Sequence, residues 1–144
     1  MSGGLFNYCF RLLGDWHYAE DILVDTFTKL AHSDLDEHGN IKAWLYRVAT
    51  NDCYSHFRKK RTESKCIQEQ LQRILSNPGH DIAEELRIQK IISTLPEYQR
   101  VMVVLKFYER MTYNEIAEVL CCPVGTVKSR IHNGLKKLRH LMER

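Results

Sequence analysis

The last fifty residues, Leu95 to Arg144, constrain this chain most, because they set two short amphipathic segments on either side of Cys121-Cys122-Pro123. The first segment opens at Thr112, and Glu115 follows at the spacing of a capping box. Behind that start, Ile116, Ala117, Val119 and Leu120 recur at helical intervals and form an inward face. The second segment starts at Pro123, whose fixed φ suits a first helical turn. On a wheel of about 100° per residue, Val127, Ile131, Leu135 and Leu138 share one sector, the expected core face. The opposite sector holds Gly125, Thr126, Ser129, His132, Asn133 and Lys136, flanked by Lys128, Arg130, Lys137 and Arg139. Two such helices across a tight break have the layout of a helix-turn-helix. The floor of a major groove is read by short or planar hydrogen-bonding groups, and phosphates are met by cations at the edges. This distribution supplies both, and Gly125 would let the backbone approach DNA closely. A contact to duplex DNA follows as the expectation.

The charge distribution points to a second contact. The net charge of +3 conceals an acidic stretch, Asp15, Glu20, Asp21, Asp25, Asp34, Asp36 and Glu37, opposed only by Lys29. A basic block then follows at Arg58, Lys59, Lys60, Arg61 and Lys65, well separated from the C-terminal cations. Basic helix ends can simply complement a helix dipole, but that explains one cluster more readily than two. The segment leading into the block is predicted to be one long helix seeded by Ile41, Trp44, Leu45 and Val48. Along it Trp44, Tyr46, Tyr54 and Phe57 interleave with Arg47, Arg58, Lys59 and Arg61. Aromatic faces beside a basic track are what unpaired bases stack on, although Trp44 could equally serve the core.

Upstream, Leu5–Leu13 reads as an apolar helix stopped by Gly14-Asp15. Ala19, Ile22, Leu23, Phe27 and Leu30 form one face of a second helix. A polar loop spans Ser33 to Asn40, with Gly39 as its breaker. Residues 62–83 read as a linker interrupted by Ser76-Asn77-Pro78-Gly79, followed by helices near Ile82–Ser93 and Glu97–Tyr108. The expected architecture is all-α: two small helical domains joined by a flexible linker, at 1–61, 62–83 and 84–144, the C-terminal one a helix-turn-helix.

Other classes find little support. No apolar run nears the roughly 20 residues that span a bilayer, and Met1-Ser2-Gly3-Gly4 lacks the basic start of a signal peptide. A cytoplasmic protein without membrane insertion is expected. The five cysteines, Cys9, Cys53, Cys66, Cys121 and Cys122, are odd in number and contain no C-x-x-C pair, so free thiols are expected and no structural metal. The seven histidines are scattered without His-x-x-x-His spacing, which argues against a metal-dependent nuclease and for a protein that is not an enzyme and needs no cofactor.

Beyond these physical readings, the residues resemble a known family. Leu95-Pro96, Gln99-Arg100-Val101, Tyr113 to Leu120 and Val124 to Ile131 look like region 4 of bacterial extracytoplasmic-function (ECF) sigma factors. Gly14-Asp15, Ala19-Glu20-Asp21, Phe27, Ala43 to Asn51 and Phe57 to Arg61 resemble region 2 of the same family. The resemblance covers nearly all of the chain outside the linker, with both regions in order. It implies a transcription-initiation subunit. Region 4 would read the −35 promoter element through Gly125, Thr126, Lys128, Ser129, Arg130, His132, Asn133, Lys136 and Lys137. Region 2 would capture the −10 element as single strand through Trp44, Tyr46, Arg47, Asn51, Tyr54, Arg58, Lys59 and Arg61. Asp21, Val24, Asp25 and Phe27 would belong to the polymerase-binding surface. The implied partners are core RNA polymerase (its β′ clamp helices and β flap), promoter DNA and an anti-sigma factor.

The sequence departs from the family in places. Its resemblance begins inside the usual first helix of region 2, near Leu5, and a shortened helix would uncover apolar surface there. Val24 stands where Gln is common, and His132 and Asn133 where larger aromatic or Arg side chains are frequent, so promoter preference is expected to differ. Asp52 is unusual on a helix with little polar space, and nothing in the sequence accounts for it. The competing reading is a two-component-type helix-turn-helix regulator without sigma activity, because its output helix also carries a Thr-Val-Lys-Ser-like run. It requires a receiver domain of alternating strands and helices, and the N-terminal half shows no strand pattern.

Overall fold

The structure, a computed structural model, describes residues 2–34, 39–60 and 80–143. Among the described residues there is no strand, and the helices run in the order α1 (Ser2–Leu13), α2 (Trp16–Ala31), α3 (Ile41–Lys60), α4 (His80–Ser93), α5 (Glu97–Phe107), α6 (Tyr113–Leu120) and α7 (Val124–Met142). The receiver architecture required by the competing regulator is therefore not what residues 2–34 and 39–60 form. Helix α4 begins at His80, ahead of the boundary expected at residue 84. The rest of the expected linker, like Arg61, lies outside the described residues.

Helices α1, α2 and α3 pack as a three-helix unit. Gly14 turns the chain between α1 and α2 with a φ of +68°, a conformation that costs a residue without Cβ little. Asp15 then caps α2, its carboxylate accepting from the Tyr18 backbone N–H. Leu5, Tyr8, Cys9, Leu12 and Leu13 of α1 are buried against Ala19 and Ile22 of α2. The buried face of α3 differs from the one its apolar residues suggest. Ile41 is exposed and Trp44 and Val48 are half-buried, while Ala43, Leu45, Tyr46, Ala49, Thr50, Cys53, His56 and Phe57 face inward. Thr50 can be buried because its hydroxyl donates to the Tyr46 carbonyl and accepts from Tyr8 at 2.7 Å, which satisfies three polar groups at once.

The C-terminal unit is built on α5, whose run Val101–Leu105 is wholly buried. The capping box at α6 is present as expected: Thr112 Oγ1 accepts from Glu115 N at 3.1 Å, and Glu115 Oε1 accepts from Thr112 N at 3.0 Å. Pro123 is the N-cap of α7, and the first helical residue is Val124. On α7 the expected core stripe is corrected at its end. Val127 and Ile131 are buried, but Leu135 is 39% exposed, and the stripe continues instead through Gly134. A Cβ at Gly134 would sit 3.0 Å from Val103 Cγ2, so α7 lies close on α5 there, with room for a single Cβ only if Val103 gives by a few tenths of an ångström and none for a larger side chain.

The two units share one core. Buried residues of α1 and α3 belong to the same apolar cluster as those of α5, α6 and α7. Polar contacts stitch the seam. Tyr46 donates to Glu109 Oε2 at 2.6 Å, Gln89 donates to the Arg11 carbonyl, and the Arg11 guanidinium stacks 3.8 Å over the Tyr108 ring. Arg100 reaches three carbonyls, Leu12 at 3.2 Å, Ser93 at 2.7 Å and Leu95 at 3.0 Å, with its guanidinium 4.9 Å over Phe57.

Candidate nucleic-acid interface

The helix-turn-helix presents the expected row. Gly125, Lys128, Ser129, Arg130, His132, Asn133, Lys136 and Lys137 of α7 are all exposed, and Thr126 is half-buried. The row exists because Val127, Ile131 and Gly134 pin the opposite side of α7 to the core. The flanking cations are positioned by rings. Lys128 Nζ lies 5.7 Å over Tyr113 and the Arg130 guanidinium 5.1 Å over Tyr98. Such contacts hold the side chains without neutralising them.

The turn between α6 and α7 is set by Cys121, which takes a left-handed conformation with φ 53°. Cys122 N then donates to the Ala117 carbonyl at 3.1 Å, closing the end of α6.

The α3 residues are arranged differently. Arg58 and Lys59 are exposed at the end of the helix, and Asn51 is exposed along it. Trp44 and Tyr54 are half-buried, and Tyr46 is only 6% exposed. Arg47 donates through Nη2 to the Glu118 carbonyl at 2.7 Å and through Nε to the Val119 carbonyl at 3.2 Å. These are orphan carbonyls of the last turn of α6, so a cation from α3 caps the first helix of the helix-turn-helix. Asn40 adds a contact to Glu118 Oε1 at 3.3 Å. Burial raises the Tyr46 phenol well above its ordinary range, and the hydrogen bond to Glu109 acts in the same direction. Tyr54 is pushed up to about 12, chiefly by burial, while Arg130 pulls the other way. Arg47, Asn51 and Tyr54 from α3 thus share a cleft of about 270 Å³ with Cys121, Cys122 and Arg130 of the helix-turn-helix. Residues expected to read two different DNA elements meet there.

A third surface lies on α2. Asp21, Val24 and Asp25 are exposed, Val24 by 60%, whereas Phe27 is half-buried against the core. Asp21 and Asp25 line a cleft of about 440 Å³ with Tyr18, Asp52, His56 and Lys59. Here Asp52 finds the partner that the sequence did not reveal. Lys29 Nζ lies 3.0 Å from Asp25 Oδ2 and 3.3 Å from Asp52 Oδ1, bridging α2 to α3. Its hydrogen bond to Lys29 lowers the Asp25 pKa, while desolvation and the Asp25 carboxylate raise that of Asp52.

Lys29→Met should therefore destabilise the chain most near neutral pH, where both carboxylates are charged and face each other without the ammonium. Acidification through the raised Asp52 pKa neutralises one of them. The gap between variant and parent in urea midpoint should narrow from pH 7 to pH 4, and a pH-independent gap would contradict this account of the trio.

Comparison with known proteins finds two family matches along the chain. Residues 2–63 match the family described as Sigma-70 region 2, and residues 81–138 match Sigma-70, region 4. The chain is 35% identical over 152 aligned positions to the ECF RNA polymerase sigma factor SigW of Bacillus subtilis, covering 94% of this chain and 81% of that protein. It is 32% identical to the ECF RNA polymerase sigma factor SigE of Mycolicibacterium smegmatis, covering 94% of this chain and 56% of that one. Among solved structures, the sigma factor RpoE in complex with the anti-sigma factor NepR from Bartonella quintana superposes with a TM-score of 0.76 at 24% identity, over 99% of this chain and 91% of that one. CnrH in complex with the cytosolic domain of CnrY superposes with a TM-score of 0.75 at 22% identity, over 97% and 80%. At those identities the two structures establish the fold. The regions and the sequence relatives together define the class, a two-region sigma factor. The chain belongs to the ECF RNA polymerase sigma factors.

Proposed function

We propose that this chain binds core RNA polymerase and directs it to promoters, with α7 reading the −35 element and α3 engaging the melted −10 element. The observation that carries the reading is the exposed row Ser129, His132, Asn133 and Lys136 on a helix whose far side is pinned to the core. That row meets the requirements of a major-groove reader, and it sits on the same chain as an α3 rich in Arg, Lys and aromatic side chains. Asp21, Val24 and Asp25 are the proposed polymerase contacts. The proposed units are residues 1–61 and 80–144, the second taken from the start of α4. No helix among the described residues is long and apolar enough to cross a membrane, and the site of action is proposed to be the cytoplasm, where polymerase works. An anti-sigma partner is proposed as well, since one of the structures of like fold is a sigma factor in complex with an anti-sigma factor.

In the present arrangement Tyr46, Arg47 and Tyr54 face the C-terminal unit, so engagement of melted DNA requires the two units to part. Arg47 would then exchange two helix carbonyls for phosphates.

Base readers and phosphate contacts predict different defects. Ser129→Ala and Asn133→Ala should change the preferred −35 sequence in a selection from randomised duplexes, at about 1–3 kcal/mol per lost base contact. Lys137→Ala should weaken all sequences evenly and flatten the salt dependence by about one counterion. An even loss from all three variants, with base preference intact, would overturn the assignment of the reading face.

A further inference from the structure

The cleft between α3 and the α6–α7 turn holds two thiols that DNA binding leaves unused. Two adjacent thiols, Cys121 and Cys122, line it together with two guanidiniums, Arg47 and Arg130. Neither cysteine is in a disulfide; Cys121 is exposed, with its Sγ 3.8 Å from the Glu118 carbonyl, and Cys122 is half-buried. Burial pushes the Cys122 thiol up, so it is the poorer nucleophile by position and by environment. The cleft measures about 270 Å³, which is room for a small charged molecule rather than a lone water. One wall is α3, and the other is the end of α6, whose Glu118 and Val119 carbonyls Arg47 holds, with the turn that follows it.

We propose that Cys121 is an S-thiolation site: the cleft admits a low-molecular-weight disulfide bearing carboxylates, Arg47 and Arg130 draw those carboxylates in, and the resulting adduct wedges α3 away from the helix-turn-helix. The proposal rests on the reading above that α3 must be uncovered to meet melted DNA. The Cys121 thiolate attacks one sulfur of the disulfide. A Cys121 Sγ–S bond forms as the incoming S–S bond breaks. The departing thiolate takes up the proton that Cys121 released, so the protein thiol is oxidised and one equivalent of small thiol is produced. The adduct then occupies the space between α3 and the turn, and its carboxylates compete with the Glu118 and Val119 carbonyls for the Arg47 guanidinium.

The test uses the reduced 144-residue chain with two probes, glutathione disulfide, which is anionic, and cystamine, which is cationic. Peptide mass spectrometry follows the adduct, and hydrogen exchange follows Tyr46–Tyr54. The expected result is modification at Cys121, about tenfold faster with glutathione disulfide than with cystamine by electrostatic steering. That ratio should fall toward one in urea-unfolded chain. The adduct should raise exchange across Tyr46–Tyr54. Cys121→Gly keeps the turn, because its φ of 53° suits glycine, and it should abolish both the adduct and the exchange change. Equal rates for the two probes, modification confined to other cysteines, or an adduct that leaves α3 exchange unchanged would each overturn the proposal. Neither polymerase nor DNA enters this experiment, so its failure stays distinct from failure of the promoter-directing function.

Discussion

Gly134→Leu is expected to cost about 3 kcal/mol of stability and to abolish binding to duplex DNA, whereas Gly134→Ala should be close to neutral. The contrast follows from the seam between α7 and α5. A single Cβ at this position meets Val103 Cγ2 at 3.0 Å and Gln99 Cβ at 3.6 Å, a contact that a small rotation of Val103 can relieve. Alanine also recovers up to about 1 kcal/mol of helix propensity in the middle of α7. Leucine adds atoms that only a lift of α7 from α5 could accommodate. Val127 and Ile131 lie on the same face of α7 and are buried, so lifting the helix would uncover them and tilt the whole recognition row. Urea unfolding monitored by circular dichroism, with duplex binding measured on the same preparations, checks both arms. Equal stability of the leucine variant and the parent would show that α7 does not rest on Val103 as described.

Arg100→Ala should cost about 3 kcal/mol, and Arg100→Lys should recover less than half of it. One guanidinium donates to Leu12 at the end of α1, to Ser93 at the end of α4 and to Leu95 in the joint before α5. Its charge lies against the carbonyl ends of two helices, a favourable placement, and its plane lies over Phe57 of α3. Burial lowers its pKa, the signature of a cation held away from water. Truncation strips three carbonyls of their donor together. A lysine offers a point charge on a flexible stem and cannot span all three. Because Leu12 and Phe57 belong to the N-terminal unit, the alanine variant should also loosen that unit from the C-terminal one. Small-angle scattering would register this as a larger radius of gyration at urea concentrations well below the midpoint. An unchanged radius together with unchanged stability would remove Arg100 from the seam.

The parts of this molecule that sequence made legible are those whose cause is local. The Thr112–Glu115 box, the Gly14-Asp15 turn and the exposed row on α7 each depend on spacing within one or two helical turns, and each is present. Less legible were features whose cause lies far along the chain. Tyr46 and Arg47 read as aromatic and basic on α3, yet Glu109 and the Glu118 and Val119 carbonyls, more than sixty residues away, decide what they touch here. Asp52 had no account in the sequence because Lys29, which it meets, sits on another helix, twenty-three residues away. The wheel placed Leu135 inside because it sorts by hydrophobicity. The real contact line follows Gly134, where backbone proximity counts for more than side-chain area. The fold class needed only periodicity. The seam between the two units needed the tertiary structure.

That seam bears on the central claim, since under the proposed function it must open for α3 to meet melted DNA. The most direct measurement is transcription in vitro by core RNA polymerase, with and without the purified chain, from a library of promoter fragments followed by sequencing of transcript starts. The account predicts a discrete set of starts that appear only with the chain, share one −35 sequence and change that sequence in the Ser129→Ala and Asn133→Ala variants. A folded chain that leaves the pattern of starts identical to that of core polymerase alone would contradict it.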